Sequence, residues 1–131
     1  MKVLVDTCIW SKALRWKNPD LEIVEKLQDL INDDRICIIG PIRQEILSGI
    51  SSQKQFKSLK KNLSSFEDIP LQAKHYEKAA EFCNICRSKG IQGSIIDFLI
   101  CAVAYLENLV IFTNDIDFKN FSRYLPIEIM K

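Results

Sequence analysis

The chain has 131 residues, 47% of them apolar and 27% charged, which excludes a disordered or fibrous polymer and predicts one folded domain over residues 1–131. A formal net charge of +1 excludes a global electrostatic pull toward nucleic acid or membrane, so any polyanion must be met by a local patch. Five cysteines, an odd number, point to free thiols in a reducing, cytoplasmic setting.

Met1–Lys2 leads straight into Val3–Val5, which reads as a short buried strand rather than a signal-peptide core, and that run ends on Asp6 and Thr7. Asn18–Pro19 offers a cap and first turn for a helix in which Leu21, Val24, Leu27, Leu30 and Ile31 recur at helical spacing. Ile36–Ile39 is a second apolar run. Pro41 opens a helix carrying Ile42, Ile46, Leu47 and Ile50, and Lys54–Leu63 is a basic helical stretch. A weaker strand signal lies at Phe66–Ile69.

After Pro70 comes a longer helix with Tyr76, Ala79, Ala80, Cys83 and Cys86 along one face and Gly90 as its stop. Ser94 caps an apolar helix ending near Asn108. That segment is too short to span a bilayer and carries Asp97 near its start, so no membrane role is expected. Leu109–Phe112 and Ile127–Met130 close the set of strands. Continuous Val- and Ile-rich runs of this length suit a parallel sheet covered on both faces. Their alternation with helices predicts an α/β fold with a mainly parallel sheet and right-handed crossovers.

In open parallel sheets, ligands bind beyond the carboxyl ends of the strands. Asp6 directly follows the first strand, and Asp115 and Asp117 follow Leu109–Phe112. Glu45 lies one turn into the helix after Ile36–Ile39, and Asp97 in the first turn of the helix preceding Leu109–Phe112. All five acids can reach the same end of the sheet. Each also has a local explanation. Asp6 can cap a helix from Thr7, Asp115 a segment from Ile116 to Tyr124, and Asp97 can close a capping box with Ser94, while Glu45 can face solvent.

Asp97 fits the local explanation least, because its neighbours are Ile95, Ile96, Phe98, Leu99 and Ile100. An unpartnered buried carboxylate is costly or becomes protonated. Several carboxylates share a crevice in ionised form only if a cation neutralises them. A set without His or thiolate ligands selects a hard ion, Mg²⁺ or Mn²⁺, and implies metal-assisted phosphodiester hydrolysis.

Taken together, VLVDT at 3–7, PIRQEILSGI at 41–50 and GSIIDFLICAVAYLENLVIFTNDIDF at 93–118 resemble the PIN-domain nucleases, specifically the small VapC-type toxins of toxin–antitoxin pairs. The resemblance spans nearly the whole chain, residues 52–90 adding compatible helices but no motif, and TNDIDF is its most specific piece. It implies a three-layer α/β/α sandwich and Mg²⁺- or Mn²⁺-dependent endoribonuclease activity. The family's acidic quartet falls on Asp6, Glu45, Asp97 and Asp115, with Asp117 an additional acid. Asp6 and Asp97 would be the main metal ligands, Glu45 would complete the pocket, and the Thr113 hydroxyl would support it. Which of Asp115 and Asp117 faces the metal stays open.

The partners so implied are an RNA substrate, often tRNA, a cognate antitoxin whose C-terminal segment lies in a groove beside the active site, and a second copy in a homodimer. The alternative is a catalytically silent PIN-like binding module for RNA or protein, in which the acids persist as caps.

A nearly neutral nuclease needs local bases. Lys54, Lys57 and Lys61 fall on one helical face with Lys60 nearby, a stripe suited either to a phosphate backbone or simply to solvent. Arg43 and Arg87 are further candidates. Cys83 and Cys86 form a CxxC with the sole histidine, His75, upstream. No second ligand pair stands at zinc spacing, so core packing is the better reading. Trp10 and Trp16 are open between core and partner surface. Neither a GxGxxG nor a phosphate-binding P-loop is present.

Overall fold

The structure, a computed structural model, describes residues 1–14 and 17–131; Trp16 therefore lies outside the described residues. The elements in chain order are β1 (Val3–Val5), α1 (Thr7–Ala13), α2 (Leu21–Asn32), β2 (Ile36–Cys37), α3 (Gly40–Leu47), α4 (Gln53–Leu63), α5 (Ala73–Ser88), α6 (Ile95–Leu106), β3 (Val110–Phe112) and α7 (Ile116–Ser122). The strands form a parallel sheet in the order β2-β1-β3, with Val3 opposite both Ile36 and Val110. The chain steps to one side of β1 and then crosses to the other, which makes the tip of β1 the switch point where an open sheet leaves a crevice.

Both outer segments are single bridges rather than strands. Asp68 pairs in parallel with Ile38, and Ile129 with Ile111. The apolar run 36–39 thus pairs with β1 at Ile36 and Cys37 before its partner changes, and Phe66–Ile69 and Ile127–Met130 contribute one rung each. Helix α1 touches α2 and α3, α3 touches α4, α5 packs along α6, and α6 meets β3. These two helical sets enclose the sheet as a three-layer α/β/α sandwich.

The core runs through Val3, Leu4, Val5, Ile38, Ile39, Ile100 and Ile111, all fully buried. At roughly 1.5–3 kcal/mol for each large side chain taken out of water, these residues dominate the gain that opposes chain entropy. Trp10 belongs to this core, edge-on to Phe66.

Two helices differ from the periodicity. Helix α2 starts at Leu21, not Asn18–Pro19. Asp20 caps it by accepting from the Ile23 amide at 3.2 Å, and Asn18 sits at φ +52, in keeping with the bar on αR before proline. Its buried stripe is Ile23, Leu27 and Leu30, while Leu21 is exposed. Helix α5 buries His75, Ala79, Phe82 and Cys86, leaving Tyr76 and Ala80 outside. His75 accepts from the Gln72 amide on Nδ1 and meets Glu107 Oε1 through Nε2 at 2.9 Å. Those two bonds satisfy a buried ring, so a histidine displaces the expected tyrosine from the core face. All five cysteines are free thiols, and no described helix is long and apolar enough to cross a membrane.

Candidate functional site

Strand register builds the site. Val5 lies opposite Phe112 where β1 and β3 end, so the next residues, Asp6 and Thr113, emerge side by side. The Thr113 hydroxyl donates to Asp6 Oδ2 at 2.8 Å, and the Asp6 amide donates to the Phe112 carbonyl at 2.9 Å. Asp6 is only 6% exposed. Its Oδ1 accepts the Thr7 amide at 2.7 Å, and its Oδ2 also receives the Cys8 thiol at 3.4 Å. Three donors therefore fix this carboxylate as the cap of α1, in line with the rule that buried charge is held by hydrogen bonds.

Asp97 closes a reciprocal capping box at the start of α6. Its amide donates to Ser94 Oγ at 3.0 Å, and the Ser94 amide donates to Asp97 Oδ2 at 3.1 Å. Burial pushes the Asp97 carboxyl above its ordinary pKa, and the nearby charges of Asp6 and Asp115 add to that, against the Ser94 bonds. Asp115 caps α7, its Oδ1 accepting from the Asp117 amide at 2.9 Å, while its own amide donates to Thr113 Oγ1 at 3.0 Å. The single Thr113 hydroxyl thus ties Asp6 to Asp115.

One oxygen each from Asp97, Asp115 and Asp117 lies within 4.8 Å of the other two, and all three residues are half-buried. Asp6 and Glu45 are not members of this tight set. Glu45 is exposed on α3 and joins the site through Thr7, whose hydroxyl donates to Glu45 Oε1 at 2.8 Å. Thr7 and Cys8 are the residues that reading the sequence overlooked. Their position, directly after Asp6 in the first turn of α1, is the only signal they carry.

The donor set fits a hard divalent cation. Mg²⁺ binds oxygen at about 2.1 Å, so ligands of an octahedral ion stand about 3.0 Å apart when adjacent and about 4.2 Å when opposite, and oxygens within 4.8 Å of one another reach that spacing by drawing in around the ion. Every donor is a carboxylate oxygen. Burial raises the Cys8 pKa, which keeps it a thiol donor to Asp6 rather than a soft ligand in competition.

The basic candidates separate. The Arg43 guanidinium is engaged within its own chain. Nε and Nη2 donate to Asp68 Oδ1 at 3.0 and 2.8 Å, Nη1 to the Leu63 carbonyl at 2.9 Å, and Nη2 to the Phe66 carbonyl at 2.7 Å. Lys54, Lys57 and Lys61 stand exposed on α4, and among the described residues none of them makes an ion pair. Arg87 is exposed in the last turn of α5.

The sequence matches the model of the PIN domain over residues 3–124. No curated protein matches it. Among solved structures, VapBC2 from Rickettsia felis bound to a DNA fragment from its promoter is 28% identical, with a TM-score of 0.79 over 100% of this chain and 98% of that one. FitAcB from Neisseria gonorrhoeae is 20% identical at a TM-score of 0.79, covering 98% and 96%. VapBC-5 from Mycobacterium tuberculosis, of the VapBC family of toxin-antitoxin systems, is 17% identical at 0.70, covering 100% and 99%. With the family's pattern matched across almost its entire length and an acidic crevice at the tips of its parallel strands, the chain belongs to the PIN domain family.

Proposed function

We propose that this chain is a Mg²⁺- or Mn²⁺-dependent endoribonuclease and the toxin of a toxin–antitoxin pair. The observation that carries the proposal is the convergence of Asp97, Asp115 and Asp117 within 4.8 Å at the crevice end of a PIN-family sheet. Asp97, Asp115 and Asp117 would hold the cation, with Asp6 beside them as a fixed negative charge. A bound divalent ion supplies positive charge to a phosphoryl oxygen and lowers the pKa of water at neutral pH.

The chain's own residues do the positioning. Thr113 fixes Asp6 and the Asp115 backbone with one hydroxyl. Ser94 sets the rotamer of Asp97. Glu45, held by Thr7, is an exposed carboxylate able to accept a proton or orient water at the rim.

Likeness to VapBC and FitAcB structures supports a protein antitoxin as partner. A groove of about 330 Å³ between α1, α3 and α4, with Leu14, Ile46, Ile50 and Leu59 in its walls, is the candidate seat for an apolar segment of it.

One observation favours a second reading. Asp6, Asp97 and Asp115 all cap helices, which a silent binding module would also retain. RNA cleavage by wild type and Asp97→Asn, in Mn²⁺, Mg²⁺ or EDTA, decides between them. Cleavage that requires metal and is lost in the variant supports the nuclease. Wild type that binds structured RNAs but cleaves none of them supports the module.

A further inference from the structure

We propose that the cavity between the end of α5 and the start of α6 is a subsite for an RNA phosphate neighbouring the scissile one, with Arg87 as its cation. The identity of the polyanion rests on the ribonuclease reading above. The cavity holds about 360 Å³ and is lined by Cys83, Arg87, Ile91, Gln92, Gly93 and Phe98. Gly93 and Phe98 are the residues immediately before and after the segment Ser94–Asp97, in which the Ser94 amide holds the Asp97 carboxylate at 3.1 Å. The residues flanking the short piece of chain that presents Asp97 to the acidic set thus line this cavity.

Its chemistry suits an anion. The wall offers a guanidinium and a side-chain amide and no carboxylate. Among the described residues Arg87 makes no ion pair. Its one side-chain contact, Nη2 to Cys83 Sγ at 3.8 Å, is a weak bond that leaves most of a guanidinium's five donors available. Arg43, by contrast, is bonded to Asp68, Leu63 and Phe66, and the exposed Lys54, Lys57 and Lys61 lie on α4 and do not line this cavity.

A polyanion drawn to an acidic crevice needs a cation next to the cluster but outside it, where it cannot compete with the metal for carboxylates. A planar fork that grips phosphate in bidentate fashion meets that need and fixes the strand's direction.

The test is binding of a fluorescein-labelled single-stranded RNA, followed by anisotropy over a range of salt concentrations. The protein is the full chain carrying Asp97→Asn so that it does not cut. Adding Arg87→Gln should weaken binding about tenfold and reduce the slope of log K against log salt by about one. Arg87→Lys should recover the slope but only part of the affinity, and unchanged melting temperatures would show the fold intact. Equal affinity and slope with and without Arg87, or no RNA binding by the parent, overturns the subsite. Weakened binding in Arg87→Gln, together with no cleavage by the protein that retains Asp97, leaves the subsite standing and overturns the nuclease reading instead.

Discussion

Replacing Asp97 by Asn should move stability in opposite directions with and without a divalent cation. Asn keeps a side-chain oxygen for the Ser94 amide, so the capping bond, worth about 1 kcal/mol, survives. What disappears is a charge whose oxygen lies no more than 4.8 Å from carboxylate oxygens of Asp115 and Asp117. At that separation each like-charged pair costs about 0.9 kcal/mol in water-like surroundings and roughly four times as much at an effective dielectric of 20. The three side chains are half-exposed, which favours the lower figure, and screening trims two such pairs to about 1–2 kcal/mol.

For 131 residues the unfolding entropy is about 0.28 kcal/mol/K, so Asp97→Asn in EDTA at pH 7 should melt about 4–7 °C above wild type. Mn²⁺ at a hundred times its Kd should raise wild type by about 10 °C, from the roughly 2.7 kcal/mol of binding linkage, and leave the variant nearly unmoved. The order of melting temperatures then reverses. The pH dependence has a definite sign. Asp97 has a raised pKa in the fold, so its protonated form is favoured there. That stability is fully present below the unfolded carboxyl pKa of about 3.9 and is lost as pH climbs through the folded value. The EDTA gap should accordingly close below about pH 4 and open above it. A variant that melts at or below wild type in EDTA, or that gains as much from Mn²⁺, would refute the reasoning.

Thr113→Val keeps shape but removes the donor to Asp6 and the acceptor for the Asp115 amide; Mn²⁺ affinity by calorimetry should fall about 10–100-fold, the usual cost of losing such a supporting bond, with Thr113→Ser restoring most of it. Arg43→Gln abandons bonds to Leu63, Phe66 and Asp68 and should cost about 2–4 kcal/mol in urea unfolding, while RNA affinity stays the same; a fall in affinity without a fall in stability would return Arg43 to the substrate surface. Gly93→Ala would set a Cβ 2.5 Å from Phe121 Cζ and 3.0 Å from Phe98 Cζ, and Phe121 is fully buried. Overpacking of that kind costs about 1–3 kcal/mol, a drop that differential scanning calorimetry would register; wild-type melting would refute it.

The central strands were legible because burial on both faces leaves an unbroken apolar run, as in Val3–Val5 and Val110–Phe112. The outer segments carry the same signal but make one rung each, since strand length depends on how long a partner stays alongside. The start of α2 was misplaced because Asn18 and Asp20 both look like caps. The choice falls to Asp20, whose amide also reaches the Lys12 carbonyl, a contact that spacing does not announce. His75 in the core of α5 depends on Glu107, 32 residues away, and the engagement of Arg43 depends on Asp68, 25 residues away. For the acids, arrival at one end of the sheet followed from the order of elements. The composition of the tight set did not, because it is fixed by the register Val5–Phe112 and by the cap geometry of α6 and α7.

Capping and metal binding are compatible in these residues, because a cap bond uses one of a carboxylate's two oxygens. In Asp97 the Ser94 amide takes Oδ2, and in Asp115 the Asp117 amide takes Oδ1. Among the described residues no hydrogen bond reaches the second oxygen of either, or any oxygen of Asp117. Each cap bond restricts the side chain and leaves one oxygen without a hydrogen bond. Asp6 differs, with both oxygens engaged by Thr7, Cys8 and Thr113. A carboxylate has about four lone-pair sites, so these bonds orient Asp6 and do not bar it from a cation. Ser or Asn would start α7 as well as Asp115 does, without the repulsion of clustered carboxylates, and α6 already has Ser94 as its N-cap. A divalent cation offsets that repulsion, and a cap alone gives no reason to incur it.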